Sequence, residues 1–367
     1  MTSLGEKKNV ILITADALRP DVAVQLPFLG NLIKKGSFFS NVISYQNNST
    51  GAFYSIFSGI SGNRNGVSSY FGIFDFKKDK TKLLTEYFKE RGYFTIGHSM
   101  SDIILPKYGF DSYYNELDEN NIPELYDGMV NEIKKSNKNF FVHFHVAVIH
   151  SRIIENVAKK FKYNDKKYYE QVEKNKKNYF KYALESDERI KNLLKNFDLD
   201  HCILVIFSDH GTSYGEHFGE RFYGSLCYND SLKTFALFCG NGFPVFKSDL
   251  LVRGIDIMPT LMEVMDIKNS GMELDGKSLM PVIKGSEEER TAFSEIAPLE
   301  GTSDYPSAKE PNIHSLNTSK YKLIYYRELD RYELYNLEDD PGEKINLYGE
   351  DKEIDKEMVN RLKKHLV

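Results

Sequence analysis

The stretch Asn48-Ser49-Thr50-Gly51-Ala52-Phe53 puts two hydroxyls directly ahead of an apolar run that stops at Gly59. That order sets a side-chain oxygen at a helix N-terminus, where unpaired N–H groups and the helix dipole favour negative charge. A hydroxyl held where an anion settles suits a nucleophile for phosphate or sulfate esters. The same pattern also describes Ser49 as an ordinary N-cap, so other residues must decide. Asp16 closes the apolar run Asn9–Ala15, and Asp209-His210 follows another, His201–Phe207. His150 stands at the exit of a third, Asn139–Ile149. Carboxylate, carboxylate, imidazole and hydroxyl form a donor set for Zn²⁺, Mn²⁺ or Mg²⁺, and a weaker one for Ca²⁺, which prefers oxygen alone. A cation touching the serine oxygen would lower its pKa and polarise the ester. The expected ligands are Asp16, Ser49, Asp209 and His210, around one ion. Ser49 is the expected nucleophile. Thr50 is the fallback, turned elsewhere by its one-residue offset.

The elements that must position these groups read as an α/β protein. Asn9–Ala15, Tyr93–Gly97, Asn139–Ile149, His201–Phe207 and Thr234–Cys239 have the continuous apolar character of buried strands, and Gly36–Ser44 is a further strand candidate. Helical patterns cover Pro27–Lys35, the run after Ser49, Thr81–Arg91, Tyr179–Phe197 and Ile255–Met265. Groups at the carboxyl ends of strands are where an open α/β sheet gathers its ligands. By strand parity, His143 and His145 share one face as buried, hydrogen-bonded core histidines, and His150 falls on the other. Tyr321–Tyr326 and Arg331–Asn336 read as antiparallel strands, and Lys352–Leu366 as a closing helix. The expected fold is a doubly wound, mostly parallel sheet with helices on both faces, spanning 1–285. A C-terminal subdomain, 286–367, carries a small antiparallel sheet.

The chain has 367 residues, 41% hydrophobic and 28% charged, an ordinary globular balance. A net charge of −5 argues against general nucleic-acid binding. The polar start, Met1–Lys8, and the lack of any long apolar run predict neither a secretion signal nor a membrane span. Cys202, Cys227 and Cys239 are scattered in apolar surroundings and read as reduced packing residues. A cytoplasmic protein is expected, of oligomeric state that the sequence leaves open.

Several of these segments together resemble the alkaline phosphatase superfamily, in its sulfatase-like branch. Asn9–Asp21 is similar to that branch's opening strand and metal aspartate. Phe39-Ser40-Asn41, Ser49–Gly59 and Arg64-Asn65-Gly66-Val67 follow its nucleophile region without a gap, with Ser49 at the nucleophile position. Ser208-Asp209-His210-Gly211 with Gly215-Glu216-His217 resembles its second metal cluster, and Asp340-Pro341-Gly342-Glu343 lies in what resembles its C-terminal sheet. The resemblance implies a metal-dependent ester hydrolase or transferase, with His150 and His217 contacting the anion or moving protons.

Departures from the pattern bear on the chemistry. Sulfatases oxidise a Cys or Ser within C/S-x-P/A-x-R to formylglycine, whereas Gly51 and Phe53 occupy the Pro/Ala and Arg positions here. Ala17 replaces a second Asp, His210 an Asn, and no sulfate-binding Lys and His are evident around Gly97–Met100. These changes turn the expectation toward an unmodified serine, Zn²⁺ or Mn²⁺, and a phosphate or phosphonate ester, small or glycan-linked. An aryl or carbohydrate sulfatase is the alternative, and a catalytically degenerate binding or scaffold protein the third reading. Selectivity is expected from Phe71–Lys80 and Asn156–Asn178, which match no known pattern.

Overall fold

The computed structural model describes residues 8–286, 290–298 and 308–366; the polar start noted above lies, for residues 1–7, outside them. Nine strands form the large sheet: β1 (Asn9–Ala15), β2 (Ser37–Ile43), β3 (Phe94–Ser99), β4 (Ser112–Asn115), β5 (Phe140–Val146), β6 (Cys202–Phe207), β7 (Lys233–Cys239), β8 (Phe246–Ser248) and β9 (Val252–Arg253). Their order is β4-β3-β5-β1-β6-β7-β2-β8, with β9 also paired to β2. All run parallel except β7, which is antiparallel to both β6 and β2. The apolar β-branched runs therefore sit centrally, buried on both faces, as parallel strands between helical layers require.

Strand parity divides the core. Ile11, Ile13, Val142, Phe144 and Ile206 point to one face, under the helices Pro27–Ile33, Ile122–Ser136 and Val172–Leu194. Val10, Leu12, Phe141 and Val205 point to the other, under the helices Ser49–Ser58, Leu84–Glu90 and Ile257–Val264. Asp16 continues the second parity beyond the end of β1, toward the Ser49–Ser58 helix.

The apolar run after Asn139 is not one strand. β5 stops at Val146, and Val148–Ile153 is helical. Ile149 and Ile153 still reach the core, because i, i+4 spacing presents one helical face. His150 is thus a helical residue, and strand parity does not govern it. The helix expected from Tyr179 begins seven residues earlier, at Val172. In the Ile257–Val264 helix, Pro259 falls in the first turn, where no intrahelical N–H is lost.

After residue 285 the architecture changes to a four-stranded antiparallel sheet: β10 (Ala292–Ile296), β11 (Ile313–Asn317), β12 (Tyr321–Tyr326) and β13 (Arg331–Asn336), in that order. The closing helix, Lys352–Lys363, lays Met358 and Leu362 on Leu316, Leu323 and Leu334. This sheet is tied to the large domain by Ser294 Oγ donating to the Ser44 carbonyl (2.7 Å) and by the Tyr45–Glu295 side-chain hydrogen bond. A fully buried ion pair, Lys322–Glu343 (2.6 Å), underlies the same junction. The three cysteines are free and buried. No helix among the described residues is long and apolar enough to cross a membrane.

Candidate active site

Asn48, not Ser49, caps the Ser49–Ser58 helix: its side chain accepts from the Gly51 amide (3.2 Å). Ser49 is therefore released from capping and is the first helical residue. Gly59 closes the helix in the left-handed conformation, as a C-terminal glycine does. Ser49 Oγ lies 3.4 Å from Asp16 Oδ2 and 3.4 Å from His210 Nε2. Thr50 Oγ1 is buried without a partner and makes neither contact. Thr50 nonetheless borders the same cavity as Ser49.

The ends of β1 and β6 converge on Ser49. His210 Nε2 is 3.7 Å from Asp16 Oδ1 and from Asp209 Oδ2. His210 Nδ1 lies 2.9 Å from the Gly211 carbonyl, its natural proton acceptor, which leaves Nε2 as a lone-pair donor facing the carboxylates. Asp209 Oδ1 accepts from the Ala17 amide (3.3 Å). Ala17 adopts φ 59° to aim that amide, while its carbonyl accepts from Tyr179 Oη and Thr212 Oγ1. A non-glycine residue held there is backbone strain, offset by the three contacts it makes.

Asp16 Oδ1 and Asp209 Oδ2 are buried with no hydrogen-bond partner. Two orphaned carboxylate oxygens beside an unprotonated imidazole nitrogen fit a divalent cation. Among the described residues, Asp16, Asp209 and His210 are the only group of three or more such side chains whose donor atoms lie within 4.8 Å of one another. Burial and the neighbouring Asp16 charge push the Asp209 carboxyl up. For Asp16, burial also pushes upward, but the His145 hydrogen bond and the nearby imidazoles outweigh it and hold the group below the usual carboxylate range. The pair differs as two close carboxylates without a cation must.

His145 belongs to this site, a role the sequence did not reveal. It is buried and hydrogen-bonded as expected of a core histidine, but its Nε2 partner is Asp16 Oδ2 at 2.8 Å. His143 is the core residue, bonded to Thr14 Oγ1 (2.9 Å). The register that pairs Thr14 with His145 brings His145 beside the end of β1. His150 also reaches the site, with Nδ1 3.8 Å from Asp16 Oδ2 and 2.6 Å from the Tyr223 hydroxyl. Burial holds the His150 imidazole below its ordinary pKa. Tyr223 is a second residue missed: its ring centroid is 4.3 Å from that of His210, and burial raises its phenol well above the usual range. Only the Ser213–Tyr223 loop's path could have exposed it, and that path has no sequence signature.

His217 is not brought to Ser49. Its Nδ1 faces Asp230 Oδ2 (3.2 Å), its Nε2 faces the Glu343 carbonyl (3.1 Å), and its ring stacks on Tyr228 at 3.7 Å. Both ring nitrogens are engaged at the junction with the C-terminal sheet, and His217 does not line the cavity beside Ser49, so the geometry lends the expected acid/base role no support. Of the segments expected to set selectivity, Asn156–Asn178 contributes Ala158 and Tyr163 to the cavity beside Ser49. Tyr70, just ahead of the other segment, also lines it.

A hydroxyl at a helix start, facing carboxylates and an imidazole at the carboxyl ends of parallel strands, is an arrangement of the alkaline phosphatase superfamily in its sulfatase-like branch. The chain belongs to the sulfatase family: the Sulfatase model matches residues 8–267, and the model for the N-sulphoglucosamine sulphohydrolase C-terminal region matches 215–367. An N-acetylglucosamine-6-O-sulfatase of Bacteroides thetaiotaomicron is 29% identical over 184 residues, covering 47% of this chain and 32% of that protein. A sulfatase of Formosa agariphila is 34% identical over 105 residues, 27% of this chain and 19% of that protein. The matched regions span about a third or less of these curated relatives. A solved structure in complex with its substrate D-glucosamine-2-N,6-O-disulfate superposes with TM-score 0.76 at 16% identity, covering 98% of this chain and 97% of that one. The phosphonate monoester hydrolase of Agrobacterium radiobacter gives 0.75 at 14%, covering 98% and 95%. At those identities the likeness is one of fold.

Proposed function

We propose that this chain hydrolyses a sulfate ester, using Ser49 as nucleophile and a divalent cation held by Asp16, Asp209 and His210. The observation that carries the reading is Ser49 Oγ at 3.4 Å from both Asp16 Oδ2 and His210 Nε2, on the wall of a cavity. Family membership and the named relatives favour sulfate over the phosphate ester expected from the sequence alone. A cation at these ligands supplies charge to offset the ester oxygens and to acidify the serine.

The chain's own groups divide the remaining work. The hydroxyl of Ser49 is directed at Asp16 Oδ2, and its attack would transfer the anion to Oγ as the alcohol departs. The first-turn amides beside it lack intrahelical acceptors and favour the incoming anion. His150 lines the same cavity. Tyr223, holding its proton, is placed to donate to His150 Nδ1. That leaves Nε2–H facing the departing alkoxide: as it protonates that oxygen the Tyr223 proton would pass to Nδ1, keeping the imidazole neutral, while the proton lost by Ser49 would go to Asp16 Oδ2. A water then displaces serine from the anion, with an imidazole as base.

A second reading, hydrolysis of a phosphate or phosphonate ester, is favoured by one observation. Gly51 and Phe53 occupy the positions that direct serine oxidation, and the Phe53 ring lies edge-on to His143 and His145, with centroids 5.6 and 5.0 Å away. An unmodified Ser49 suits phosphoryl transfer as well as sulfuryl transfer. The test is turnover of matched alkyl sulfates and alkyl methylphosphonates by metal-loaded protein, with mass spectrometry of the Ser49 peptide. A sulfate preference supports the first reading and a methylphosphonate preference the second. No turnover of either refutes both.

A further inference from the structure

The cavity beside Ser49 has a volume of about 320 Å³, and its walls are unlike those a charged sugar requires. Met100, Ile104 and Ile154 supply aliphatic surface, and Tyr70, Tyr163 and Phe222 supply rings. A π-helical turn, Ile154–Ala158, places Ile154 and Ala158 on the same wall. Among the described lining residues there is no Lys, Asp or Glu; beyond tyrosine phenols, only His150 and Arg221 of them are ionisable. His150 faces the reaction centre. The Arg221 guanidinium donates to the Phe161 carbonyl and stands 4.7 Å from the Phe222 ring and 5.8 Å from Tyr163. Its guanidinium is buried and packed among the rings of the wall. A uronate or second sulfate entering here would lose water against a wall that is mostly carbon, in which Arg221 is the one guanidinium and already donates to a carbonyl, which costs binding. An apolar body would gain from leaving water.

We infer that the alcohol esterified to the anion is uncharged and apolar-faced, an arylalkyl or comparable hydrophobic alcohol, rather than a multiply charged sugar. The inference rests on the ester-hydrolase reading of Ser49 and adds the substrate class. The volume sits at the small end of the roughly 300–1,000 Å³ common for ligand sites, which suits a group of one or two rings.

The test uses full-length, metal-loaded protein and esters whose alcohols leave with similar ease: ethyl, 2-phenylethyl and the 6-hydroxyl of glucosamine. Each is offered as sulfate and as methylphosphonate. The 2-phenylethyl ester should exceed the ethyl ester in kcat/KM by roughly 10-fold or more, the scale of a filled apolar pocket. Glucosamine 6-sulfate should be the poorer substrate. Ile154→Asp should lower that 2-phenylethyl-to-ethyl ratio at least roughly 10-fold, and Ile154→Val should keep it. If Ile154→Asp does not fold, the wild-type ratio alone decides. Equal ratios, or preference for the sugar ester, overturn the inference while leaving Ser49 chemistry intact. If no ester turns over, the ester-hydrolase reading fails. Calorimetry with Ser49→Ala protein then judges the cavity. Tighter binding of 2-phenylethyl sulfate than of glucosamine 6-sulfate supports its apolar character, and the reverse or no binding overturns it.

Discussion

Replacing Asp209 by Asn should make the metal-free protein more stable and the metal-bound protein weaker. The donor atoms of Asp16, Asp209 and His210 lie within 4.8 Å of one another. At that separation two carboxylates repel by about 3–4 kcal/mol at an effective dielectric of ~20. A proton taken up by Asp209 relieves part of this, so the gain expected for Asp209→Asn in chelator at neutral pH is about 1–3 kcal/mol. The amide preserves the present contacts: its oxygen can accept from Ala17, and its NH₂ can face the orphaned Asp16 Oδ1. The pH dependence has a definite sign. Burial and Asp16 raise the Asp209 pKa in the folded state, so the native protein binds more protons there than the unfolded chain. The Asp209 contribution to metal-free stability therefore falls as pH rises above the ordinary carboxylate range. Scanning calorimetry in chelator, then with Mn²⁺ or Zn²⁺, reads both halves. Wild type should gain about 2.7 kcal/mol at 100-fold excess over Kd. The variant should need far more metal for the same gain. A metal-free Asp209→Asn protein less stable than wild type, or wild type indifferent to both chelator and metal, would refute the reasoning.

Three further outcomes are expected. Ser49→Ala should abolish turnover while changing the melting temperature little, because Asn48 caps the helix; retained activity, with loss in Thr50→Ala, would move the nucleophile. His145→Phe, which removes the partner of Asp16 Oδ2, should weaken metal binding roughly 10–100-fold, measured by titration with a competing chelator. Burial, with a smaller contribution from His145, lowers the His98 pKa to about 4. Unfolded histidine then binds more protons between about pH 6.5 and 4. Stability should fall by about 3 kcal/mol as pH drops through that window, and His98→Asn should flatten the fall in denaturant titrations.

The large sheet was legible because its central strands are buried on both faces, which leaves near-continuous apolar runs from β1, β5 and β6. Their carboxyl ends pointed to Asp16, Asp209 and His210, and the small-residue turn before the helix pointed to Ser49. Two kinds of information were missing. Register decides that His145, rather than His143, meets Asp16, and register is a long-range property absent from a single strand's pattern. A helix and a buried strand share apolar runs, so the break at Ala147 that lifts His150 into a helix left no periodic signal. His217 was misplaced for a related reason. Its neighbours resemble a metal cluster, yet its ring is claimed by Asp230 and by a loop more than a hundred residues later.

The packing of Phe53 sets a limit on how this enzyme could be rebuilt. An arginine there would exchange a ring packed edge-on against two buried imidazoles for a guanidinium that competes with His145 for its acid partner, Asp16. A Cβ at Gly51 would fall 1.9 Å from Gln46 Oε1, in the polar corner that shapes the start of the nucleophile helix. Placing the oxidation motif on residues 49–53 would therefore disturb two packed neighbourhoods: the Gln46 side chain would have to swing aside, and the β5 histidines would have to accept a charged neighbour.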